Sequence, residues 1–285
     1  MKVLVTGGAG FVAAHLKAEL EGAGHTVELT DVRGAPHLAD LTDAAAVAGV
    51  FERVRPDACV HLGAISFVPE AARDKNLLYR VNVEGTVHVL EAIRTIVPQA
   101  RLLFASTAQV MNTPSSAYAD MKLAAEKEVA RYCAAGLDGV IVRAANHTGP
   151  GQLPKFVVAS FVKQALDVRR GLADRFVVGN LEAVRDFTDV RDVVRAYRLL
   201  LERGEAGRSY TIGSNVRMTM GELLAQIQDL AGVSAPVETS PALWRPADAS
   251  PVLDVSAVEA LGWRPEIPLV QTLRDMLACD AAAPA

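Results

Sequence analysis

The feature that most restricts what this chain can fold into is a short apolar run, Lys2–Thr6, passing without a spacer into Thr6-Gly7-Gly8-Ala9-Gly10-Phe11-Val12-Ala13. The following stretch, Phe11–Glu21, puts Val12, Leu16 and Leu20 on one face at helical spacing. A strand, a glycine turn and a helix in that order open a βαβ unit. Gly7 permits the tight turn, and Gly10 lets a ligand approach the N–H groups that begin the helix, where unpaired amides and the helix dipole favour an anion. Ala13 stands where a third glycine is usual, a position that asks only for close helix–strand packing. The turn therefore reads as a dinucleotide pyrophosphate site, with Gly7, Gly10, Phe11 and Val12 as cofactor-binding candidates.

Strand-like runs recur at Thr26–Thr30, Ala58–Leu62, Arg101–Ala105 and Val140–Arg143, with amphipathic stretches between them. Such alternation builds a parallel sheet covered by helices on both faces. The expected fold class is α/β, a Rossmann-type doubly wound sheet over residues 1–148. From Gly149 onward glycine and proline punctuate the chain and the alternation is lost, which predicts a smaller, irregular substrate lobe over residues 149–285. Asp189–Ile212 reads as a helix and short strand that return to the first domain.

With 285 residues and 51% hydrophobic content, the chain can bury a sizeable core. Its formal charge of −4 comes without a long run of one sign, so neither a nucleic-acid nor a membrane surface is expected. Cys59, Cys133 and Cys279 lack metal-ligand spacing, and the reading assigns no metal site and no disulfide framework. The opening apolar run is too short for a signal peptide, and no stretch has membrane-spanning length, so a reducing cytoplasm is the expected compartment.

Asp31 closes the second strand, where a carboxylate accepts from ribose hydroxyls and repels a 2′-phosphate. That favours NAD(H). Arg33, two residues on, leaves NADP(H) admissible, although its simpler reading is a solvated loop residue. Farther along, Tyr118-Ala-Asp-Met-Lys122 opens a helical stretch, and a spacing of four puts phenol and ammonium one turn apart on one face. A neighbouring positive charge is expected to lower the tyrosine pKa towards the range of an acid/base catalyst. Ser106-Thr107, just after the fourth strand, places a hydroxyl at the carboxyl edge of the sheet, where open α/β sheets bind ligands.

Together these residues resemble the short-chain dehydrogenase/reductase superfamily, in particular its extended branch that acts on nucleotide sugars. The resemblance covers nearly the whole chain: TGGAGF, the HLGA of His61–Ala64, the VNVEGT of Val81–Thr86, STAQV followed by YADMK, and LGWRPEIPL near the end. RAANHTGPGQ (Arg143–Gln152) and GNLEAVRDFTDVRDVV (Gly179–Val194) look like the GDP-4-keto-6-deoxy-D-mannose reductases, with GDP-mannose 4,6-dehydratases as near relatives. The resemblance implies catalytic roles for Thr107, Tyr118 and Lys122: proton donation by Tyr118, a hydrogen bond from Thr107 to the same carbonyl oxygen, and Lys122 on the nicotinamide ribose. It implies cofactor contacts for Asp40, Leu41, Leu62, Ala64, Ser66 and His147. Asn146, Arg185 and Arg245 fall where relatives hold the nucleotide diphosphate, and Asp248 where they often carry Glu, for a nucleotide ribose. The substrate implied is a nucleotide sugar, and the assembly a homodimer built from Gly85–Val97 and Tyr118–Tyr132.

Two departures refine this. Dehydratases of the branch carry an acidic pair just after the catalytic threonine, where this chain has Ala108 and Gln109. Only ten residues, Ala108 to Ala117, separate Thr107 from Tyr118, where relatives carry a substrate-covering loop. The leading expectation is reduction of the 4-keto group of a nucleotide-linked 4-keto-6-deoxyhexose. A 4-epimerase that retains NAD is the alternative, and a non-catalytic dinucleotide sensor is a third reading that the intact Tyr118–Lys122 pair disfavours.

Overall fold

The computed structural model describes residues 1–67, 74–111, 116–245 and 250–282, and the chain divides into two compact units. The first comprises Met1–Ala144, Val193–Ile212 and Leu253–Arg264. Its elements begin with β1 (Lys2–Thr6), α1 (Phe11–Gly22), β2 (Thr26–Asp31), β3 (His37–Leu38), α2 (Ala44–Val54) and β4 (Ala58–His61). After α3 (Lys75–Tyr79) comes one π-helical turn, Arg80–Glu84, which runs into α4 (Gly85–Ile96). Then follow β5 (Arg101–Thr107), a 3-10 turn at Ala108–Met111, α5 (Ala117–Ala134) and β6 (Gly139–Ala144).

The second unit opens with β7 (Asn146–Thr148), α6 (Val157–Arg169), β8 (Phe176–Val178) and β9 (Val184–Asp189). Helix α7 (Val190–Arg203) and β10 (Ser209–Ile212) supply the first unit's returning segment, from Val193 onward. The second unit continues with β11 (Arg217–Thr219), α8 (Met220–Ala231) and β12 (Val237–Thr239), and it ends on α10 (Leu269–Ala282); α9 (Ser256–Glu259) lies in the first unit. Its own core gathers Phe161, Val162, Leu166, Phe176, Leu223, Ile227, Leu273 and Met276. Among the described residues, no helix is long and apolar enough to cross a membrane.

Seven strands of the first unit form one sheet in the order β10-β6-β5-β4-β1-β2-β3, and every pairing is parallel. This is the Rossmann-type doubly wound sheet expected from the strand–helix alternation. On one face, Leu4, Cys59, Leu102, Phe104 and Ile141 pack with Val50, Phe51, Leu90, Ile93 and Val129 from α2, α4 and α5. Alternate strand residues share a face, which is why these apolar positions recur at a spacing of two. The returning segment is held by the β10–β6 ladder and by the Arg198–Glu19 ion pair at 2.7 Å, and it buries Tyr210. Strand β5 runs two residues past the predicted end, so Ser106 and Thr107 are its last residues, in register with Arg143 and Ala144.

The strand order reverses between β1 and β4, which opens a crevice at their carboxyl ends. A buried polar chain fixes that edge. The Gly63 N–H donates to Thr6 Oγ1 at 3.1 Å, and Thr6 Oγ1 lies 2.6 Å from His61 Nδ1. On the other side, His61 Nε2 lies 3.1 Å from Thr86 Oγ1, which gives its own proton to the Asn82 carbonyl at 2.7 Å. With that proton spent, Nε2 must be the donor, so a neutral His61 has a bare Nδ1 and accepts from Thr6. Asn82 extends the chain by clamping Ile65, accepting its N–H at 2.8 Å and donating to its carbonyl at 3.1 Å.

Burial, assisted by the Lys122 charge, pushes the His61 imidazole down to about 3. Below its ordinary value of 6.5 the unfolded chain takes up a proton that the folded chain refuses until about pH 3. Stability therefore falls as pH is lowered through that window, by about 1.4 kcal/mol per unit for this group. In urea titrations at pH 6.5 and 4.5, wild type should lose about 2 kcal/mol more than His61→Gln, which cannot titrate. Parallel losses in the two proteins would show that His61 is not the buried neutral group described.

Candidate active site

Strands β5, β4, β1 and β2 lie side by side, and their carboxyl ends carry Thr107, the Leu62–Ser66 segment, the Gly7–Gly10 turn and Asp31 in that order. Three strand spacings, about 14 Å, separate the two ends of this row, room for an elongated ligand with an anionic middle.

The middle is the glycine turn. Gly7 has φ +69°, and a Cβ there would meet Gly63 N at 2.8 Å, so both the backbone angle and the approach of the β4 exit demand glycine. Gly8, which the motif reading passed over, rests on β2 as closely: a Cβ would meet Leu29 Cβ at 2.7 Å. The turn's own amides are occupied, with Gly8 N–H on Thr30 O, Ala9 N–H on Asp31 Oδ2 and Gly10 N–H on Gly7 O. Helix α1 begins at Phe11 with Gly10 as its N-cap, no side-chain cap and no acid in the first turn. Its first intrahelical bond is Ala14 N–H to Gly10 O, which leaves the N–H groups of Phe11, Val12 and Ala13 facing out of the helix end. A pyrophosphate fits those donors, and Ala13 is fully buried as its packing role requires.

At one end, Asp31 accepts from Ala9 N–H at 3.0 Å and Val32 N–H at 2.7 Å, so its carboxylate braces the turn with lone pairs left for ribose hydroxyls. Arg33 is exposed beside it. Asp40 caps its own turn by accepting from Thr42, and the Leu41 carbonyl takes a 2.7 Å hydrogen bond from His88. Leu62 and Ala64 are half-buried and Ser66 is exposed.

At the other end, proton accounting separates the two hydroxyls. Ser106 Oγ donates to Glu126 Oε1 at 2.5 Å and is committed to the interior. Thr107 Oγ1 accepts from Gln109 N–H at 3.2 Å, which leaves its own proton to be given away. Helix α5, capped by Ser116 accepting from Ala119 N–H, carries Tyr118 and Lys122. The ammonium donates to the Ala105 carbonyl at 2.7 Å and sits 4.8 Å above the Phe104 ring. Burial lowers Lys122 to about 8, opposed by the Glu126 charge. Tyr118 departs from the sequence expectation: its hydroxyl is pushed up to about 12 rather than down. Burial is the cause, because desolvation penalises the charged phenolate. Tyr197 of α7, buried and itself raised by burial and by Tyr118, is a neighbour the sequence reading did not anticipate.

The second unit carries the remaining candidates. Strand β7 pairs with β9 in the register Asn146↔Phe187, and Arg185, two residues earlier on β9, shares that face of the three-stranded sheet. His147 Nδ1 lies 3.1 Å from the Ala145 carbonyl, and burial lowers its pKa, so the neutral ring donates through Nδ1 and keeps Nε2 as an acceptor. Arg185 Nη1 donates to its own strand at Val184 O. Arg245 is exposed, its guanidinium bonded to the Ala242 and Trp244 carbonyls, and its own carbonyl is held by Asn180. Asp248 lies outside the described residues, as do residues 112–115 of the segment between Thr107 and Tyr118.

The profile of the NAD dependent epimerase/dehydratase family matches residues 3–213, which span the glycine turn, Thr107 and the Tyr118–Lys122 pair. The chain belongs to that family. Within it, the GDP-6-deoxy-D-mannose reductase of Pseudomonas aeruginosa is 34% identical, covering 97% of this chain and 96% of the relative. The solved structure of RMD from the same organism, complexed with NADPH, superposes with a TM-score of 0.87 at 32% identity, covering 98% of each chain. The UDP-glucose 4-epimerase of Thermus thermophilus, complexed with NAD, gives 0.88 at 30% identity over 99% of this chain and all of that one. Like these members of the NAD dependent epimerase/dehydratase family, the chain is an NAD(P)-dependent, oxidoreductase-type enzyme.

Asp31 is the residue at which the choice between the two dinucleotides can be tested. Replacing it by Ala removes a negative charge from the ribose end of the row and frees the N–H groups of Ala9 and Val32. Calorimetry should find NADH bound more tightly than NADPH by wild type, with Asp31→Ala narrowing the ratio by about tenfold. A wild-type preference for NADPH would mean that Arg33 governs this end of the site.

Proposed function

We propose that this enzyme reduces the 4-keto group of a nucleotide-linked 4-keto-6-deoxyhexose to an alcohol, at the expense of NADH or NADPH, with a GDP-linked sugar as the leading substrate. The observation that carries this reading is the pairing of a complete Thr107–Tyr118–Lys122 set with Ala108 and Gln109 immediately after the threonine. Its similarity to a GDP-6-deoxy-D-mannose reductase supports the sugar and the nucleotide.

A bound reduced dinucleotide would supply the hydride for the carbonyl carbon, whose oxygen must then gain a proton. Tyr118, held protonated by its burial, is suited to donate it. Thr107 donates its uncommitted proton to the same oxygen as a hydrogen bond that strengthens as charge develops there. Lys122 holds the nicotinamide ribose with the N–H groups not used on Ala105, and its charge stabilises the phenolate left behind. Gly7, Gly10, Phe11 and Val12 hold the pyrophosphate and Asp31 the adenosine ribose, while Asp40, Leu41, Leu62, Ala64, Ser66 and His147 complete the cofactor's surroundings. Asn146, Arg185 and Arg245 take the nucleotide diphosphate and Asp248 its ribose. The active form is a homodimer in the cytoplasm, joined through α4 and α5, and light scattering should give twice the chain mass.

A nucleotide-sugar 4-epimerase is the second reading, favoured by the likeness to the Thermus thermophilus enzyme. Dehydration is disfavoured on chemical grounds. Loss of water needs an acid and a base near C5 and C6, and Ala108 has no functional group while the Gln109 amide is too weak a base. Enzyme and NAD⁺ incubated with GDP-mannose should therefore form no 4-keto-6-deoxy sugar. Enzyme and NADH, or NADPH, incubated with the 4-keto product of a dehydratase should oxidise the cofactor. Tyr118→Phe should slow that second reaction by about 10²–10⁴-fold while dinucleotide binding is kept. Formation of the keto sugar in the first tube would sink the proposal.

A further inference from the structure

Tyr118, Lys122 and Glu126 stand at successive spacings of four on α5, so one helix stripe runs from the catalytic edge into the interior. Glu126 is 3% exposed. Its carboxylate is saturated by two elements of the sheet: Ser106 of β5 donates to Oε1 at 2.5 Å, and Arg143 of β6 forks onto it with Nε at 3.0 and 3.1 Å and Nη2 at 2.6 Å. Ser106 immediately precedes Thr107, and Arg143 is the register partner of Ser106. The carboxylate therefore ties the end of β5 to β6 and to the helix that bears the Tyr118–Lys122 pair.

Among the described residues, few titratable groups face Lys122. From its own helix come Tyr118 and Glu126; from β4 comes His61, neutral and pushed down in part by the lysine. Arg143 forks onto Glu126 from β6 and brings a positive charge behind it, and Tyr197 of α7 is an electrostatic neighbour of Tyr118. Glu126 is thus the anion among them. A buried lysine without a nearby anion sheds its proton, because desolvation penalises the charged form alone.

We propose that Glu126 is a positioning residue of the reduction: its clamped, buried carboxylate holds Lys122 in the ammonium form and fixes the strand end that presents Thr107. This rests on the reductase reading for its purpose, but the effect on Lys122 belongs to the free enzyme. The lysine's downward displacement by burial and the opposing effect of Glu126 agree with the geometry.

The test is a titration of free enzyme labelled with ¹³C at lysine Cε, with the Lys122 signal assigned by its loss in Lys122→Arg. Wild type should titrate near pH 8. Glu126→Gln should move the midpoint down by about one pH unit, roughly tenfold in proton affinity, while Glu126→Asp, which keeps the charge, stays close to wild type. The double variant Glu126→Gln/Arg143→Met removes the carboxylate and its guanidinium partner together, the change best tolerated if the single variant does not fold. It should show a smaller downward displacement, because the arginine's charge, which disfavours the ammonium, leaves with the carboxylate. In steady-state assays the alkaline fall of kcat should move with the NMR midpoint. An unmoved Lys122 midpoint in the Gln variant, or in the double variant where that is the folded one, overturns the proposal. Failure of every 4-keto sugar to react would leave the titration result standing and count only against the reductase reading.

Discussion

At the carboxyl edge of the sheet the Thr6 hydroxyl takes the Gly63 N–H and donates its own proton to His61, and much of the site's shape follows from that exchange. It pins the exits of β1 and β4 so closely that a Cβ on Gly7 would strike Gly63. The glycine turn packs between β2 and the β4 exit, and α1 begins with three amides outside its own hydrogen-bond ladder. Beyond His61 the same chain passes through Thr86 and Asn82 to both backbone groups of Ile65. The π-helical turn that contains Asn82 adds a residue to the helix pitch and delivers that side chain to Ile65. A fully satisfied polar chain of this kind stiffens the crevice floor, because each group in it has nowhere else to bond.

The reacting end depends on a second buried arrangement, in which charge rather than neutrality is conserved. Lys122 is 4% exposed and leans on a carbonyl and an aromatic face. Glu126 and Arg143 form a bidentate pair behind it, with the arginine keeping 28% of its side chain accessible. The two hydroxyls at the end of β5 differ in how they are committed. Ser106 serves the buried carboxylate, and Thr107 accepts a backbone N–H with its own proton uncommitted. Burial holds the Tyr118 hydroxyl in its protonated form.

Every strand of the seven-stranded sheet except the two-residue β3, their order of appearance and the glycine turn were legible in the sequence because they depend on local pattern: alternation, helix periodicity and glycine. The short strands of the second unit were not. The Tyr118–Lys122 pair was legible for the same reason, since four residues make one helical turn. What pattern could not give was the set of long-range partners. Thr6 meets His61 fifty-five positions later, and Glu126 meets Arg143 across a helix–strand connection. The downward shift expected for Tyr118 failed because spacing shows that a lysine is near, but not that the hydroxyl is buried. The two residues by which β5 outran its predicted end have a similar origin, since Ser106 and Thr107 owe their strand conformation to pairing with Arg143 and Ala144. Among the nucleotide-sugar candidates, Asn146 and Arg185 share one sheet face through a register that no single segment encodes.

The central claim is that hydride passes once, from the dinucleotide to the carbonyl carbon, with Tyr118 supplying the proton. The most direct test supplies NADH or NADPH deuterated at the transferable C4 position, together with a nucleotide-linked 4-keto-6-deoxyhexose, and reads the sugar by NMR and mass spectrometry. The account predicts one deuterium at C4 of the product for each cofactor oxidised, and one product configuration. A keto sugar left unreduced by the deuterated cofactor, while the enzyme inverts C4 of a nucleotide hexose without net cofactor oxidation, would contradict it and identify the enzyme as an epimerase.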